Sequence, residues 1–122
     1  MTRFLAIILL LLTSATTQSA TLQVGAEQPE RYLPLLAGKK VGLVVNQTSR
    51  VKQTHLVDFL MSRNVAVQAV FAPEHGFRGK LGAGEKVTDG IDPKTGLPIR
   101  SLYGKYKKPD QAMLNDIDLL VF

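Results

Sequence analysis

The stretch VAVQAVF, residues 65–71, is an almost unbroken apolar run that ends directly before Ala72-Pro73. A short apolar run bounded by turn residues is typical of a strand that is buried on both faces of a sheet. VGLVV, residues 41–45, is a second run of the same kind. The intervening segment places apolar residues at helical spacing: Leu56, Phe59 and Leu60. Two buried strands joined by one amphipathic helix predict a right-handed βαβ unit with parallel strands.

Weaker signals extend this unit in both directions. Asn64 is predicted to end the central helix. Residues 21–37 are interpreted as a leader segment with a short helix near 30–36, and residues 109–115 as a helix that begins close to Pro109. Residues 117–122, IDLLVF, predict a third strand. The sequence therefore predicts an α/β fold with a parallel sheet and covering helices, incomplete at its C-terminus because no element follows that strand.

The segment between Phe71 and Pro109 shows little regular periodicity. Loops of this length within compact domains are usually functional or disordered. This one contains many apolar residues that could anchor it to a core, which favours a structured functional loop. These residues are Phe77, Val87, Ile91, Leu97, Ile99, Leu102 and Tyr103.

The first twenty residues have the order of a secretory signal peptide, whose last residue could be Ala15 or Ala20; we favour Ala20 and assign the signal to residues 1–20. A positive start at Arg3 precedes the apolar run 4–12, and small or polar residues follow through Ala20. Nine apolar residues are too few for a membrane-spanning helix, which needs about 20. We therefore expect a secreted or periplasmic protein of a bacterial envelope with no stable membrane anchor after cleavage; an uncleaved anchor is the alternative. The absence of cysteine excludes a lipoprotein and any disulfide framework.

The formal net charge of the chain is +5, and much of the excess lies late in the sequence, at Arg100, Lys105, Lys107 and Lys108. Basic residues beside an aromatic residue are also found in nucleic-acid-binding proteins. Four basic residues beside a proline are more often a solvated loop, and export argues against an intracellular nucleic acid, so we expect no nucleic-acid partner. His55 is predicted to lie on the central helix, away from His75, and no zinc motif is present. We expect no metal and no cofactor.

Polar side chains follow both predicted parallel strands at their carboxyl ends, where open sheets of this class bind ligands. The topology therefore brings five candidate site residues towards one crevice: Asn46, Glu74, His75, Arg78 and Glu85. Glu74 and Glu85 form a candidate carboxylate pair of the kind that glycosidases use. The alternatives are a loop-bracing or helix-capping Glu74 and a Glu85 in a surface salt bridge. Arg78 could bind an anionic group of a ligand. Tyr103 could stack on a sugar or pack against the core.

Five motifs occur in order along the chain: VGLVVNQTSR, FAPEHGFRG, AGEKV, DPKTGLPIRSLYG and IDLLVF. Together they closely resemble the DUF1343 family, whose characterised members are exo-β-N-acetylmuramidases. The resemblance runs from about residue 41 to 122. It implies that residues 38–122 are the N-terminal part of a Rossmann-like catalytic domain, with a C-terminal domain missing after Phe122. It also implies an activity that releases N-acetylmuramic acid from the non-reducing ends of peptidoglycan-derived muramyl saccharides, in cell-wall turnover and recycling.

The same resemblance makes Glu74 the expected catalytic acid and Glu85 the second acidic candidate. Asn46, His75, Arg78 and Tyr103 fall on matching positions as expected substrate contacts. N-acetylmuramic acid carries a lactyl carboxylate, which a planar guanidinium such as that of Arg78 can bind through two hydrogen bonds. Its acetamido group also permits a route without a protein nucleophile. The alternatives are a non-catalytic envelope protein that binds cell-wall sugars and an inactive truncated fragment.

Overall fold

The computed structural model describes residues 20–122. The predicted signal peptide falls on residues 1–20, so all but its last residue lies outside the described range. Within that range, no helix has the length and apolar character needed to cross a membrane.

Residues 40–121 form a five-stranded sheet with the strand order β5-β6-β4-β1-β7. Its strands are β1 (Lys40–Val44), β4 (Ala66–Ala72), β5 (Gly90–Ile91), β6 (Pro98–Ser101) and β7 (Leu119–Val121). The pairs β1–β4, β1–β7 and β4–β6 are parallel, and only the β5–β6 pair within this sheet is antiparallel. The predicted parallel pairing of the first two apolar runs is therefore confirmed, with a mainly parallel α/β sheet.

The centre of the sheet is β1, which is buried from both sides. Val41 and Leu43 are fully buried, and Gly42 lies where the neighbouring side chains leave no room for a larger residue. A Cβ atom at Gly42 would lie 2.8 Å from a methyl carbon of Leu120 and 2.9 Å from the ring of Phe71. The close packing explains why a residue without a side chain interrupts this apolar run.

The helices of the described chain are α1 (Pro29–Leu36), α2 (Leu56–Ser62) and α3 (Gln111–Leu114). The predicted stripe of α2 is buried at Leu56 and Leu60, together with Val57. Asn64 has a positive φ of 59° just past the helix, which is a common way for a helix to end. The helix α3 is shorter than the predicted span 109–115 because Asp110 caps it, accepting a hydrogen bond of 2.9 Å from the backbone N–H of Met113.

Two loops contain strands that the sequence pattern did not predict. The polar segment after β1 forms a small antiparallel hairpin, β2 (Arg50–Val51) with β3 (Thr54–His55). The long segment after β4 contributes β5 and β6 to the main sheet, so it is not a loop throughout. Phe77, Val87 and Leu97 anchor it in the core as predicted, whereas the predicted anchor Ile91 is wrong, because its side chain is 63% exposed at the edge of the sheet.

Candidate active site

The candidate site lies at the sheet edge where β1 and β4 end. The two strands are parallel neighbours, and the backbone N–H of Val45 still donates to the carbonyl of Phe71 at 3.2 Å. The chain leaves β1 at Asn46 and leaves β4 at Pro73, so the two loops begin side by side. The predicted convergence of these loops on one edge follows from this pairing.

Glu74 is half-buried directly after β4. Its carboxylate accepts a hydrogen bond of 3.2 Å from the backbone N–H of Gly84, which closes the glycine-rich loop onto itself. Beyond β6, the N–H of Leu102 donates to the carbonyl of Ala72 at 2.8 Å, which brings the next residue, Tyr103, towards the end of β4. The negative charge of Glu74 raises the pKa of the Tyr103 phenol above its ordinary 10.0. Two predicted site residues are thus neighbours.

His75 occupies the left-handed region of backbone conformation, with a φ of 71°. Such a conformation is uncommon for residues other than glycine, and it occurs preferentially at functional sites. Its ring Nδ1 lies 3.3 Å from the carbonyl oxygen of Leu81, so Nδ1 carries the proton and donates. The loop therefore orients the imidazole through its Nδ1.

Glu85 sits on an exposed turn that is closed by a hydrogen bond of 3.2 Å from its backbone N–H to the carbonyl of Gly82. The residue before it, Gly84, is the one that binds the Glu74 carboxylate. The chain thus brings the backbone of Glu85 close to Glu74, while the Glu85 side chain is exposed and lies against Gly82. Its role as the second acidic residue stays a prediction.

Arg78 is held between two carboxylates. Its Nε and Nη2 lie 2.9 Å and 2.7 Å from the two oxygens of Asp92, and its Nη1 and Nη2 lie 3.2 Å and 3.0 Å from those of Asp58. Lys94 adds a contact of 2.6 Å to Asp58. We call these four residues the Arg78 cluster. It ties the loop after β4 to α2 and to the turn before β6.

Electrostatics within the Arg78 cluster follow from these contacts. The guanidinium of Arg78 lowers the pKa of Asp92 to about 2, with help from Thr95, whose hydroxyl and backbone N–H donate to the same carboxylate. Arg78 and then Lys94 also lower the pKa of Asp58, and both carboxylates raise that of Arg78. Four of the five N–H groups of Arg78 are engaged in this way. The geometry favours a bracing role, and the predicted contact of Arg78 with a substrate carboxylate stays a prediction.

Asn46 is also engaged by its own loop. Its side-chain oxygen accepts hydrogen bonds from the backbone N–H and the hydroxyl of Thr48, at 2.9 Å and 2.7 Å. Its backbone carbonyl accepts from the ring Nε2 of His55 at 2.8 Å. These bonds fix the first turn after β1, and a substrate contact by Asn46 stays a prediction.

His55 corrects one expectation from the sequence. It was predicted to lie on the helix and away from the loop after β4, but it is the N-terminal cap of α2, only 7% exposed, and its Nε2 lies 2.9 Å from the carbonyl oxygen of Phe77. Asp58 and Asp92 were likewise not predicted as parts of the site. Asp92 begins the DPKTG turn, which the sequence does signal, but nothing local indicates that its carboxylate faces Arg78.

Two cavities flank Arg78. One of about 190 Å³ is lined by the loop after β4, including His75, Lys80 and Lys86. The other, of about 430 Å³, lies between the two loops and is lined by residues including Gln47, Arg50 and Lys94. Each is lined by several basic side chains and one carboxylate, Asp92 in the smaller cavity and Asp58 in the larger, and the excess of positive charge suits ligands that carry a negative charge. In residues 20–122, no cluster of three or more His, Asp or Glu side chains is arranged to hold a metal ion.

Residues 41–122 match the family described as "Exo-beta-N-acetylmuramidase NamZ, N-terminal". The peptidoglycan beta-N-acetylmuramidase NamZ of Bacillus subtilis is 43% identical over 93 residues, which are 75% of this chain and 22% of that protein. The chain therefore spans less than a quarter of the length of this relative.

Two solved structures of DUF1343 family proteins from Bacteroides fragilis have the same fold. One superposes with a TM-score of 0.64 at 42% sequence identity, covering 79% of this chain and 23% of that one. The other gives a TM-score of 0.63 at 41% identity, with 75% and 22% covered. With the match over residues 41–122 and the ordered motifs, these likenesses establish that the chain belongs to the NamZ N-terminal family, the DUF1343 proteins.

Proposed function

We propose that this chain forms part of an exported glycoside hydrolase that releases N-acetylmuramic acid from the non-reducing ends of peptidoglycan fragments. The observation that carries the proposal is the placement of Glu74. In a chain of this family, Glu74 follows the carboxyl end of β4, the edge at which open parallel sheets bind ligands, where the Gly84 amide donates to its carboxylate and Tyr103 lies beside it. The name of the Bacillus subtilis relative, a peptidoglycan beta-N-acetylmuramidase, supports the same reaction class.

In the proposed reaction, Glu74 donates its proton to the glycosidic oxygen as the bond from that oxygen to the anomeric carbon breaks. Water then adds to the anomeric carbon and gives up one proton to a carboxylate, Glu85 on the opposite face or the deprotonated Glu74, which yields N-acetylmuramic acid. Two groups can assist at the opposite face of the sugar: the Glu85 carboxylate, or the acetamido oxygen of the substrate itself. The exposure of Glu85 leaves its side chain free to turn towards a ligand.

The basic cavities beside Arg78 supply a reason for selectivity. N-acetylmuramic acid differs from N-acetylglucosamine by a lactyl ether that carries a carboxylate. Lys80 lines both cavities, and Lys86 lines the smaller one. Their positive charges favour an anionic sugar over a neutral one. We therefore propose that the lactyl carboxylate is recognised on this side of the loop after β4.

The test is release of N-acetylmuramic acid from the disaccharide of N-acetylmuramic acid and N-acetylglucosamine, followed by mass spectrometry. It is run with this chain alone and within any longer product of its gene, because the chain spans 22% of the relative's length. Glu74→Gln is expected to lower the rate at least about 100-fold. An unchanged rate removes Glu74 from the acid role. Disaccharide binding by calorimetry without any product identifies a non-catalytic sugar-binding protein instead.

We also propose that the protein is exported through cleavage after Ala20. Amino-terminal sequencing of the protein from the periplasmic or culture fraction is expected to begin at Thr21. A mature protein that begins at Met1 and stays with the membrane fraction contradicts cleavage and favours the uncleaved anchor.

A further inference from the structure

We propose that His55 is a positioning residue, which sets the spacing between the loop that carries Asn46 and the loop that carries Glu74. The inference rests on the proposed function, because it assigns the two loops to one active site. His55 is buried where β3 meets α2, at the end of the loop after β1, and its ring contacts backbone carbonyls of both loops.

The hydrogen bonds of His55 fix its protonation and its orientation. Nε2 lies 2.8 Å from the carbonyl oxygen of Asn46 and 2.9 Å from that of Phe77, and a carbonyl oxygen can only accept. Nε2 therefore carries a hydrogen that both carbonyls share. Nδ1 accepts a hydrogen bond of 3.2 Å from the backbone N–H of Val57 at the start of α2, so it has no hydrogen. The ring is therefore held at both nitrogens, with Nε2 as donor and Nδ1 as acceptor.

The two carbonyls explain why a donor is needed at this position. The carbonyls of Asn46 and Phe77 converge on one point, and two acceptors cannot bind each other. Leaving a buried acceptor without a donor is costly, so the two loops approach this closely only with a donor between them. His55 supplies that donor from the rigid end of α2.

Further contacts hold the same part of the loop after β4. The ring of Phe77 is buried and stands edge-on to the His55 ring, with 5.4 Å between centroids. Gly79 lies so close to the loop after β1 that a Cβ atom on it would be 2.7 Å from the Cβ of Gln47. These contacts pack the two loops closely against each other, and the hydrogen bonds of His55 Nε2 fix how one loop is placed relative to the other. Glu74 lies three residues before Phe77 in the same loop. Fixing the backbone at Phe77 therefore also helps to fix the position of Glu74.

The experiment compares two replacements of His55. His55→Gln keeps an N–H donor on a side chain of similar reach, whereas His55→Phe keeps an aromatic ring and removes the donor. Leu60→Ala is the matched control, because Leu60 is fully buried in the same helix and makes none of these hydrogen bonds. The variants are made in the full chain that shows wild-type activity, and all are assayed well below their Tm.

If His55 positions the loops, His55→Phe lowers kcat about 10- to 100-fold with a smaller change in KM, since misplacing a catalytic group by up to about 1 Å has effects of this size. His55→Gln recovers most of kcat, and Leu60→Ala lowers Tm while kcat stays near wild type. A kcat for His55→Phe equal to wild type, or an equal loss of kcat in Leu60→Ala, overturns the proposal.

Amide hydrogen exchange provides a readout that does not depend on activity. Exchange over residues 76–84 is expected to be faster in His55→Phe than in either other variant, after correction for global stability. If the wild type releases no sugar but this exchange pattern is observed, the proposed function fails, while the positioning of the two loops by His55 is supported. If exchange over residues 76–84 is unchanged in His55→Phe, His55 does not position the loops, whatever activity the variants show.

Discussion

Arg78 and Asp92 form a two-pronged ion pair, with Nε 2.9 Å from one carboxylate oxygen and Nη2 2.7 Å from the other. The Asp92 side chain is only 1% exposed, so the pair is shielded from water on one side. The glycine-rich part of the loop after β4 lies between these two residues in the sequence. The ion pair therefore joins the two ends of that part. Stability and loop geometry both depend on it.

The first prediction concerns the free energy of unfolding. Arg78→Gln leaves Asp58 and Asp92 close together without their shared cation, and we expect a loss of about 3 kcal/mol. Asp92→Asn is expected to lose less, because Arg78 keeps its bonds to Asp58. Urea unfolding measures both. Asp116→Asn, in an ion pair of 3.9 Å with Lys40 whose side chains are 84% and 55% exposed, is the control and should change nothing measurable. Equal effects of Arg78→Gln and Asp116→Asn contradict a structural role for the cluster.

The second prediction is a dependence of stability on acid. The pKa of Asp92 falls from 3.8 to about 2 on folding, and that of Asp58 also falls. A carboxyl group with a lowered pKa in the folded protein stabilises it fully above the unfolded pKa and loses that contribution as pH falls through the folded pKa. We expect the urea midpoint to decline between about pH 4 and pH 2. Asp92→Asn should make that decline shallower, and an equally steep decline in this variant contradicts the assignment.

The third prediction tests the contact between the two loops. Gly79 has a φ of 67° and would press a Cβ against Gln47, whereas Gly38 has a φ of 69° with nothing within 4 Å. Gly38→Ala therefore measures backbone strain alone, about 1 kcal/mol. Gly79→Ala adds overpacking, typically 1 to about 3 kcal/mol more. Chemical denaturation of both variants gives the difference, and equal losses show that the loops do not touch at Gly79.

Much of the sheet could be predicted because its information is local. The runs at 41–45 and 65–71 are long and apolar enough to identify buried strands, and their parallel pairing follows from the helix between them. β6 was missed because it has four residues, begins with Pro98 and becomes a strand only by pairing with β4 and β5. The hairpin of β2 and β3 has two residues per strand, too few for any periodic signal.

The candidate site was predictable in its position and less so in its contacts. The parallel topology places Asn46 and Glu74 at one edge, which needs no knowledge of side chains. The partners of Arg78 lie 20 residues before it and 14 after it, on different elements. His55 was predicted to lie on the helix, but it is the cap one residue before the helix begins, a difference of a single position that the sequence pattern does not resolve. Only the folded chain reveals that its ring faces both loops.

The fourth prediction concerns the neighbourhood of Glu74 and Tyr103. The charge on Glu74 disfavours the phenolate and so raises the pKa of Tyr103 above 10.0. Glu74→Gln removes that charge and should lower the Tyr103 pKa, measured by NMR titration of labelled tyrosine. Glu85→Gln, on the exposed turn, is the control and should shift it less. A Tyr103 pKa that stays the same in Glu74→Gln places the two side chains apart.

The last prediction separates the roles of the two carboxylates by the leaving group. A general acid matters most when the departing oxygen is a poor leaving group, and a nitrophenol departs without a proton. If Glu74 is the acid, Glu74→Gln lowers the rate about 100-fold on the disaccharide and less than about tenfold on a nitrophenyl N-acetylmuramide. The proposed role of Glu85 is on the other face of the sugar, so Glu85→Gln should slow hydrolysis of both substrates by the same factor. Steady-state rates on the two substrates decide the assignment. Only the residue that protonates the leaving oxygen becomes dispensable when that oxygen needs no proton. If the losses of rate on the disaccharide and on the nitrophenyl substrate differ more in Glu85→Gln than in Glu74→Gln, Glu85 is the acid and the two roles are exchanged.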